Sequence, residues 1–443
     1  MLKRICASGR IFNAWSDEPW INDGAAVRVS LVCFAGRNVG RIKRSGCGGD
    51  SAQIAGSAAL EPAYVLNGNP VTEIYADLTG ATISGAGLVT AQGCDLTTAR
   101  VLAENTGISF QGSQKIGAFD IPGELARTWL NLPCNPNGRP NSDVVKPSWN
   151  GIDVARLPRD MWIIDFGTTT SEIDSSLYEA PFEYVLKHVK PEREKNNREG
   201  YRKYWWRHGE PRIAMRAALQ SFQRYIATPE VSKHRIFIWV PAHILPDKKL
   251  MVVASDSDTV FGILHSRFHE IWALKVGSWH GAGNDPRYTP ATCFETFPFP
   301  VGANGIRPPL TIGEHGKNGG DPDKGACHAP LQNPYFDAIA TAAITLNQLR
   351  ENWLNPPEWV EWVITPQEEK VGFPKRPVAR PGHEADLKKR TLTNLYNARP
   401  AWLDNAHKAL DKAVAAAYGW PSDMSDEEIL SRLLALNLER TKG

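Results

Sequence analysis

The chain has 443 residues and a mass of 49.0 kDa, enough for two or three domains of ordinary size. Apolar residues make up 42% and charged residues 22%, so a buried core can form and general disorder is excluded. Fifty basic against 48 acidic residues leave a net +2, which names no partner, and seven scattered cysteines without a C-x-x-C pair exclude a disulfide framework and a cysteine-rich zinc site.

No run of 18 apolar residues and no signal-peptide core occurs, so the sequence predicts a cytoplasmic protein without a membrane span. Residues 15–20 read as a loop broken by Pro19, followed by an Asn22-Asp23-Gly24 turn and an apolar strand at 26–34. A strand this apolar belongs inside a sheet, and little chain precedes it to supply one. Residues 36–60 are Gly/Ser/Ala-rich and carry little signal. Short β-like pieces at 63–66, 82–89 and 107–110 alternate with Gly-rich turns. Prolines 133, 136, 140 and 147 make 132–150 an ordered loop.

A strand follows at 161–166, then helices over 181–216 with breaks at Pro191 and Pro211. Strands are predicted at 224–228, 235–240 and 249–254. Apolar residues at 261, 264, 268, 271 and 272 give a helix over 259–275, capped by Ser257 or Asp258. Residues 294–300, FETFPFP, are held extended by two prolines. A Gly/Pro/Asn/Asp-rich connection fills 301–333, and helices follow at 334–354 and 401–418, the second stopped by Gly419 and Pro421. Ser425 to Glu428 form a capping box for 429–438. No internal repeat is present.

The near-zero charge hides an uneven distribution. Residues 187–235 hold thirteen bases against five acids, a local +8, with Tyr201, Tyr204, Trp205, Trp206, Phe222 and Tyr225 interleaved. Cations neutralise phosphates and planar rings stack on or wedge between bases, so this composition suits a polyanion. A solvated helix with a buried aromatic stripe gives the same composition.

Several chemistries are missing. There is no G-x-x-x-x-G-K-[ST] phosphate loop and no G-x-G-x-x-G loop for a dinucleotide or methyl donor. A nuclease-like Asp…Glu-x-Lys pattern lacks its Glu-x-Lys spacing. His265 and His269, four apart on a helix, have the spacing of a metal pair, with His280 as the nearest third ligand; exposed or phosphate-facing histidines are the alternative. Asn355-Pro356-Pro357-Glu358 imitates an amino-methyltransferase loop, but Glu stands where that loop has an aromatic, and a proline-made helix stop accounts for it.

Six segments resemble one family: IFNAWSDEPWINDGAAVRVSLVCF (11–34), GISFQGSQKIGAFDI (107–121), the long 135–167 segment ending DMWIIDFG, YIATPEVSKHRIFIW (225–239), FGILHSRFHEIWAL (261–274) and FETFPFP (294–300). They resemble the C-terminal half of bacterial adenine-specific DNA methyltransferases of the MmeI-like restriction–modification type, and the likeness runs on through 391–420. In that family the methyl-donor loop and the catalytic Asn-Pro-Pro-Tyr loop lie upstream of the part resembling 11–34.

The resemblance implies an α+β fold in five parts. These are the last strands of a methyltransferase sheet (1–60), a β-rich connection (61–134), a mixed α/β target recognition domain (135–300), a flexible linker (301–333) and an all-helical region (334–443). It implies double-stranded DNA as partner, with contacts from Arg202, Lys203, Arg207, Arg212, Lys233, His234 and Arg235, and Trp205 or Trp206 as a stacking or wedge residue. No catalytic, cofactor or metal residue is expected in this chain; S-adenosylmethionine belongs to the complete enzyme. The expectation is therefore a truncated, catalytically inactive DNA-recognition portion of an adenine-N6 methyltransferase. The alternatives are one half of a split enzyme that needs an N-terminal methyltransferase partner, and a protein-interaction module working through its helical tail.

Overall fold

The computed structural model describes residues 2–22, 25–36, 64–71, 73–76, 78, 80–83, 89–91, 94–280, 285–301 and 334–442. Most of the low-signal 36–60 stretch and of the 301–333 connection lies outside the described residues. Helices and several small sheets alternate along the chain, an α+β architecture. Two compact units form: one from Met1–Arg100 with Met424–Gly443, the other holding nearly all of 101–423. No helix among the described residues is long and apolar enough to cross a membrane.

In the smaller unit, strand Ala25–Gly36 pairs antiparallel with Gly9–Asn22, which also runs parallel to Tyr64–Leu66. The apolar strand at 26–34 thus finds its partner in residues expected to form a loop. Pro19 is tolerated there because the third strand pairs only with Asn13 and Ala14, so residues 17–22 need ladder bonds on one side only. Two register shifts, between Ile11 and Asn13 and between Trp15 and Glu18, bend the long ribbon. Ile5, Ile11, Ala14, Tyr64, Val71, Ile74 and Leu78 fill its core. The last helix, Asp426–Arg440, carries the expected capping box, and Asn437 holds the backbone of Arg100 through both its amide atoms (2.9 and 2.7 Å).

The larger unit has two four-stranded sheets. The first runs Leu245–Pro246, Val145–Trp149, Met161–Ile164, Asp120–Pro122; the second runs Ile238–Pro241, Arg224–Pro229, Leu250–Val253, Ser109–Gln111. Strand Val145–Trp149 corrects the loop expected at 132–150. Pro147 faces Trp162 on one side, and the other neighbour pairs only with Ser148 and Trp149, so its missing N–H leaves no gap. The first sheet's core gathers Phe119, Ile121, Trp162, Ile164, Phe166, Val185, Trp205 and Trp206.

The helix expected at 259–275 is two helices, Asp258–His265 and Arg267–Val276, broken at an extended Ser266. Ser257 caps the first (3.4 Å to the Val260 N–H). The second begins where the Arg267 N–H donates to the Asp411 carboxylate, 2.8 Å away on helix Ala401–Tyr418. That cap comes from 144 residues downstream, which is why periodicity alone joined the two. The FETFPFP segment turns inward: Phe294, Phe297 and Phe299 are all buried, and the Asn105 amide donates to the Phe297 carbonyl at 2.7 Å.

Candidate nucleic-acid interface

The basic stretch of the larger unit divides into charges turned inward and charges turned outward. Arg193, on the short helix Lys190–Glu194, is 1% exposed and meets no carboxylate. Its guanidinium donates to the backbone carbonyls of Lys115 (2.7 Å), Arg207 (2.9 Å), Tyr201 (3.3 Å) and Ile116. Five planar N–H groups let one arginine tie three chain segments together in this way. Burial pulls its pKa down to about 10, so it remains charged at neutral pH.

Arg207 repeats the device on a smaller scale, donating to the carbonyls of Thr168 (3.0 Å), Thr169 (2.8 Å) and Thr170 (2.9 Å). Arg216 is paired with the buried Asp165 at 2.6 Å. Arg235 is 5% exposed and donates to Thr228 Oγ1 (3.0 Å) and to the carbonyls of Pro229 (2.6 Å) and Pro286 (3.0 Å). Burial also lowers its pKa to about 10. Expected at the DNA, Arg235 is instead an internal brace, because all these donors face protein carbonyls and a hydroxyl.

The outward charges gather on the short helix Glu199–Lys203 and its flanks. Arg198, Arg202 and Lys203 are exposed, and none is in an ion pair among the described residues. Arg198 lies 5.3 Å over the Tyr201 ring and Lys203 lies 5.4 Å over Tyr204. Arg202 reaches back to the Asn196 carbonyl at 2.6 Å. Tyr204 ends the helix and is 42% exposed, with the Arg207 guanidinium 5.0 Å from its ring.

The two tryptophans that follow are not available to bases. Trp205 and Trp206 are 4% and 6% exposed; Trp205 packs against Phe182 beneath Lys190, and Trp206 donates to the Thr170 carbonyl at 3.1 Å. The ring offered to a ligand is Tyr204, which the Tyr-Trp-Trp run gave no reason to prefer. The distinguishing signal is that the helix stops at Lys203, so Tyr204 escapes the buried side.

Arg212 is half-buried in the left-handed region (φ 56°), a backbone conformation uncommon outside glycine. Its Nη2 donates to Gln111 (2.6 Å) and Glu210 (3.0 Å). Lys233 is exposed and His234 half-buried, and both converge on Asn397 Oδ1, at 2.7 and 2.9 Å, on helix Leu392–Ala398. The structure therefore gathers Arg202, Lys203 and Arg207 around Tyr204, and joins Lys233 and His234 at Asn397. Arg212 stands with Gln111 and Glu210.

The histidine pair has structural work. His265 Nε2 lies 2.8 Å from the Phe237 carbonyl and 2.9 Å from Arg350, and His269 Nε2 lies 2.9 Å from the Tyr288 hydroxyl. Both are buried, and burial holds His269 near 3 and His265 well below the ordinary value, so both are neutral. No group of three His, Cys, Asp or Glu among the described residues is placed to hold a metal. The Asn355-Pro356-Pro357-Glu358 segment follows directly on the end of helix Pro334–Leu354, and Glu358 is exposed, as a proline-made stop requires.

No protein-family model matches the chain, and no curated protein matches it. Among solved structures it is similar to the Type IIL restriction-modification enzyme MmeI, solved in complex with DNA, with a TM-score of 0.58 and 17% identity. That match covers 99% of this chain and 47% of MmeI, so the chain spans about half the length of its solved relative. At this identity the likeness is one of fold.

Proposed function

We propose that the chain is the sequence-specific DNA-recognition portion of an adenine-N6 methyltransferase of a restriction–modification system. In this reading residues 135–300 form the target recognition domain, 334–443 its helical scaffold, and 1–60 and 61–134 the end of a methyltransferase sheet and its connection. The observation that carries the reading is the exposed Tyr204 ring among Arg198, Arg202 and Lys203, cations without acidic partners among the described residues. The fold likeness to MmeI supports it. Lysine and arginine hold phosphates and set register, while an exposed ring stacks on or wedges between bases.

S-adenosylmethionine belongs to the complete enzyme of such a system. The sequence holds no Gly-rich strand-to-helix loop to cradle it, so these residues do not fit that group and no step is routed through it. The test is anisotropy of labelled duplex DNA over a salt series. Binding that weakens steeply with salt is expected, with the slope falling by about 0.9 for each phosphate contact removed by Arg202→Ala or Lys203→Ala. Folded protein with no duplex affinity at low salt overturns the reading.

A second reading, one half of a split methyltransferase, rests on the edge strand Ala25–Gly36, whose Leu31 and Phe34 are exposed. An unpaired strand edge with apolar side chains is a surface for another chain. Methyl transfer to DNA that appears only when an N-terminal methyltransferase half is added would favour it. Methyl transfer by this chain alone would refute both.

A further inference from the structure

The construction seen around Tyr204 occurs again elsewhere in the larger unit. Strands Val360–Val363 and Arg376–Ala379 form an antiparallel hairpin, with Trp362 opposite Pro377 and Glu361 opposite Val378. Its connection is rooted in the core: Phe373 packs edge-on to Trp162 (5.2 Å), and buried Glu368 accepts from Arg127 at 3.0 Å. At its base Arg390 lies between Trp353 and Trp359, 4.6 and 4.8 Å from their rings, and His383 stacks on Trp359 at 5.5 Å. The hairpin is therefore held rigidly by groups that are themselves packed.

What it presents outward is an aromatic ring and positive charge. Trp362 is 51% exposed. Lys375, Arg380 and Lys388 are exposed, and none is in an ion pair among the described residues. Residues 375–390 hold six bases against two acids, a local +4 outside the stretch that composition singled out. Fixed cations flanking an exposed ring complement a phosphate backbone, and a preorganised hairpin binds without first losing conformational freedom.

We propose that this hairpin, through Lys375, Arg380, Lys388 and Trp362, is a second and sequence-independent contact with the phosphate backbone of the duplex. The inference rests on the DNA-recognition reading. It adds a site on the tail, so that the helical region grips DNA as well as bracing the recognition domain.

The full chain tests it with a duplex of random sequence. Removing three phosphate contacts lowers the salt slope by about 2.7, so between 50 and 200 mM salt the triple variant Lys375→Ala/Arg380→Ala/Lys388→Ala loses about 40-fold less affinity than the parent does. Trp362→Ala weakens binding several-fold with the slope unchanged, because a ring releases no counterion. The charge-keeping variant Lys375→Arg/Arg380→Lys/Lys388→Arg restores the parental slope, and unchanged urea midpoints show that the fold is intact. A slope lowered by Arg198→Ala/Arg202→Ala/Lys203→Ala but not by the hairpin triple overturns the proposal and leaves the recognition reading standing. A slope moved by neither overturns both. One moved by the hairpin triple alone upholds the proposal and displaces the interface from Tyr204.

Discussion

The larger unit should lose stability in mild acid because it buries histidines that cannot take up a proton. Burial, reinforced by Arg235, holds His269 near 3; burial, reinforced by Arg399 and Arg350, does the same to His407. An unfolded histidine titrates near 6.5, so between 6.5 and 3 the unfolded chain binds protons that the folded chain refuses. Their contribution is fully present above about pH 6.5 and is lost as pH falls toward 3. At pH 5 each histidine forfeits about 2 kcal/mol relative to pH 7.5. Asp411 works in the opposite sense. Burial raises it to about 6, so the folded state holds its proton more tightly and regains about 1 kcal/mol at pH 5.

The net loss is about 3 kcal/mol, a large share of the ~5–15 kcal/mol that holds a domain together. Urea titrations followed by tryptophan fluorescence at pH 7.5 and 5.0 measure it. His269→Gln should shrink the pH-dependent loss by about 2 kcal/mol, since an amide does not titrate. An equal loss in the variant and the parent refutes the reasoning. The site is coupled to function: the Phe237 carbonyl is held by Arg350 at 2.9 Å, and its ring abuts His265 and His269, four residues from Lys233.

Three further outcomes are expected. Arg193→Met strips four backbone carbonyls of their shared donor and should lower stability by about 3 kcal/mol, with Arg193→Lys recovering only part; a parental urea midpoint would refute the clamp. Tyr204→Ala should weaken DNA binding by about 1–3 kcal/mol at an unchanged unfolding midpoint. Trp206→Ala should instead cost about 3–5 kcal/mol of stability, and the opposite pattern would exchange the roles of the two rings. Because Asn397 Oδ1 accepts from both Lys233 and His234, Asn397→Ala and Lys233→Ala should be non-additive in DNA affinity by about 0.5 kcal/mol or more; simple additivity would mean that Asn397 orients neither.

What was legible in the sequence was written locally. Gly419 in the left-handed region (φ 69°) ends helix Ala401–Tyr418, Ser425 and Glu428 cap the last helix, and Ser257 starts another; each signal lies within four residues of its effect. The strands Met161–Ile164, Arg224–Pro229 and Leu250–Val253 followed from apolar runs. The break at Ser266 was illegible because its capping carboxylate, Asp411, is remote. The interface was legible as a region and not as residues. Nothing local separates Tyr204 from Trp205, and nothing marks Arg193 as buried, because its partners are backbone carbonyls that any sequence supplies.

The local +8 overstates what a polyanion can meet, and the reason lies in which base is used where. Of its arginines, Arg193 and Arg235 are buried on carbonyls, Arg207 is stapled to 168–170, and Arg212, Arg216 and Arg224 are matched by Glu210, Asp165 and Asp258. The lysines stay outside, apart from Lys190, which covers Trp205. A guanidinium is weakly hydrated and spreads its donors over several carbonyls, whereas an ammonium keeps its water. Six exposed cations remain: Lys187, Lys195, Arg198, Arg202, Lys203 and Lys233. At about 0.9 per phosphate they cap the salt slope near 5. A measured slope above that ceiling demands cations from outside 187–235, and the unpaired trio on the hairpin at 360–379 and its flank is a place in the larger unit that can supply them. A slope well below it would mean that even these six do not all reach one duplex.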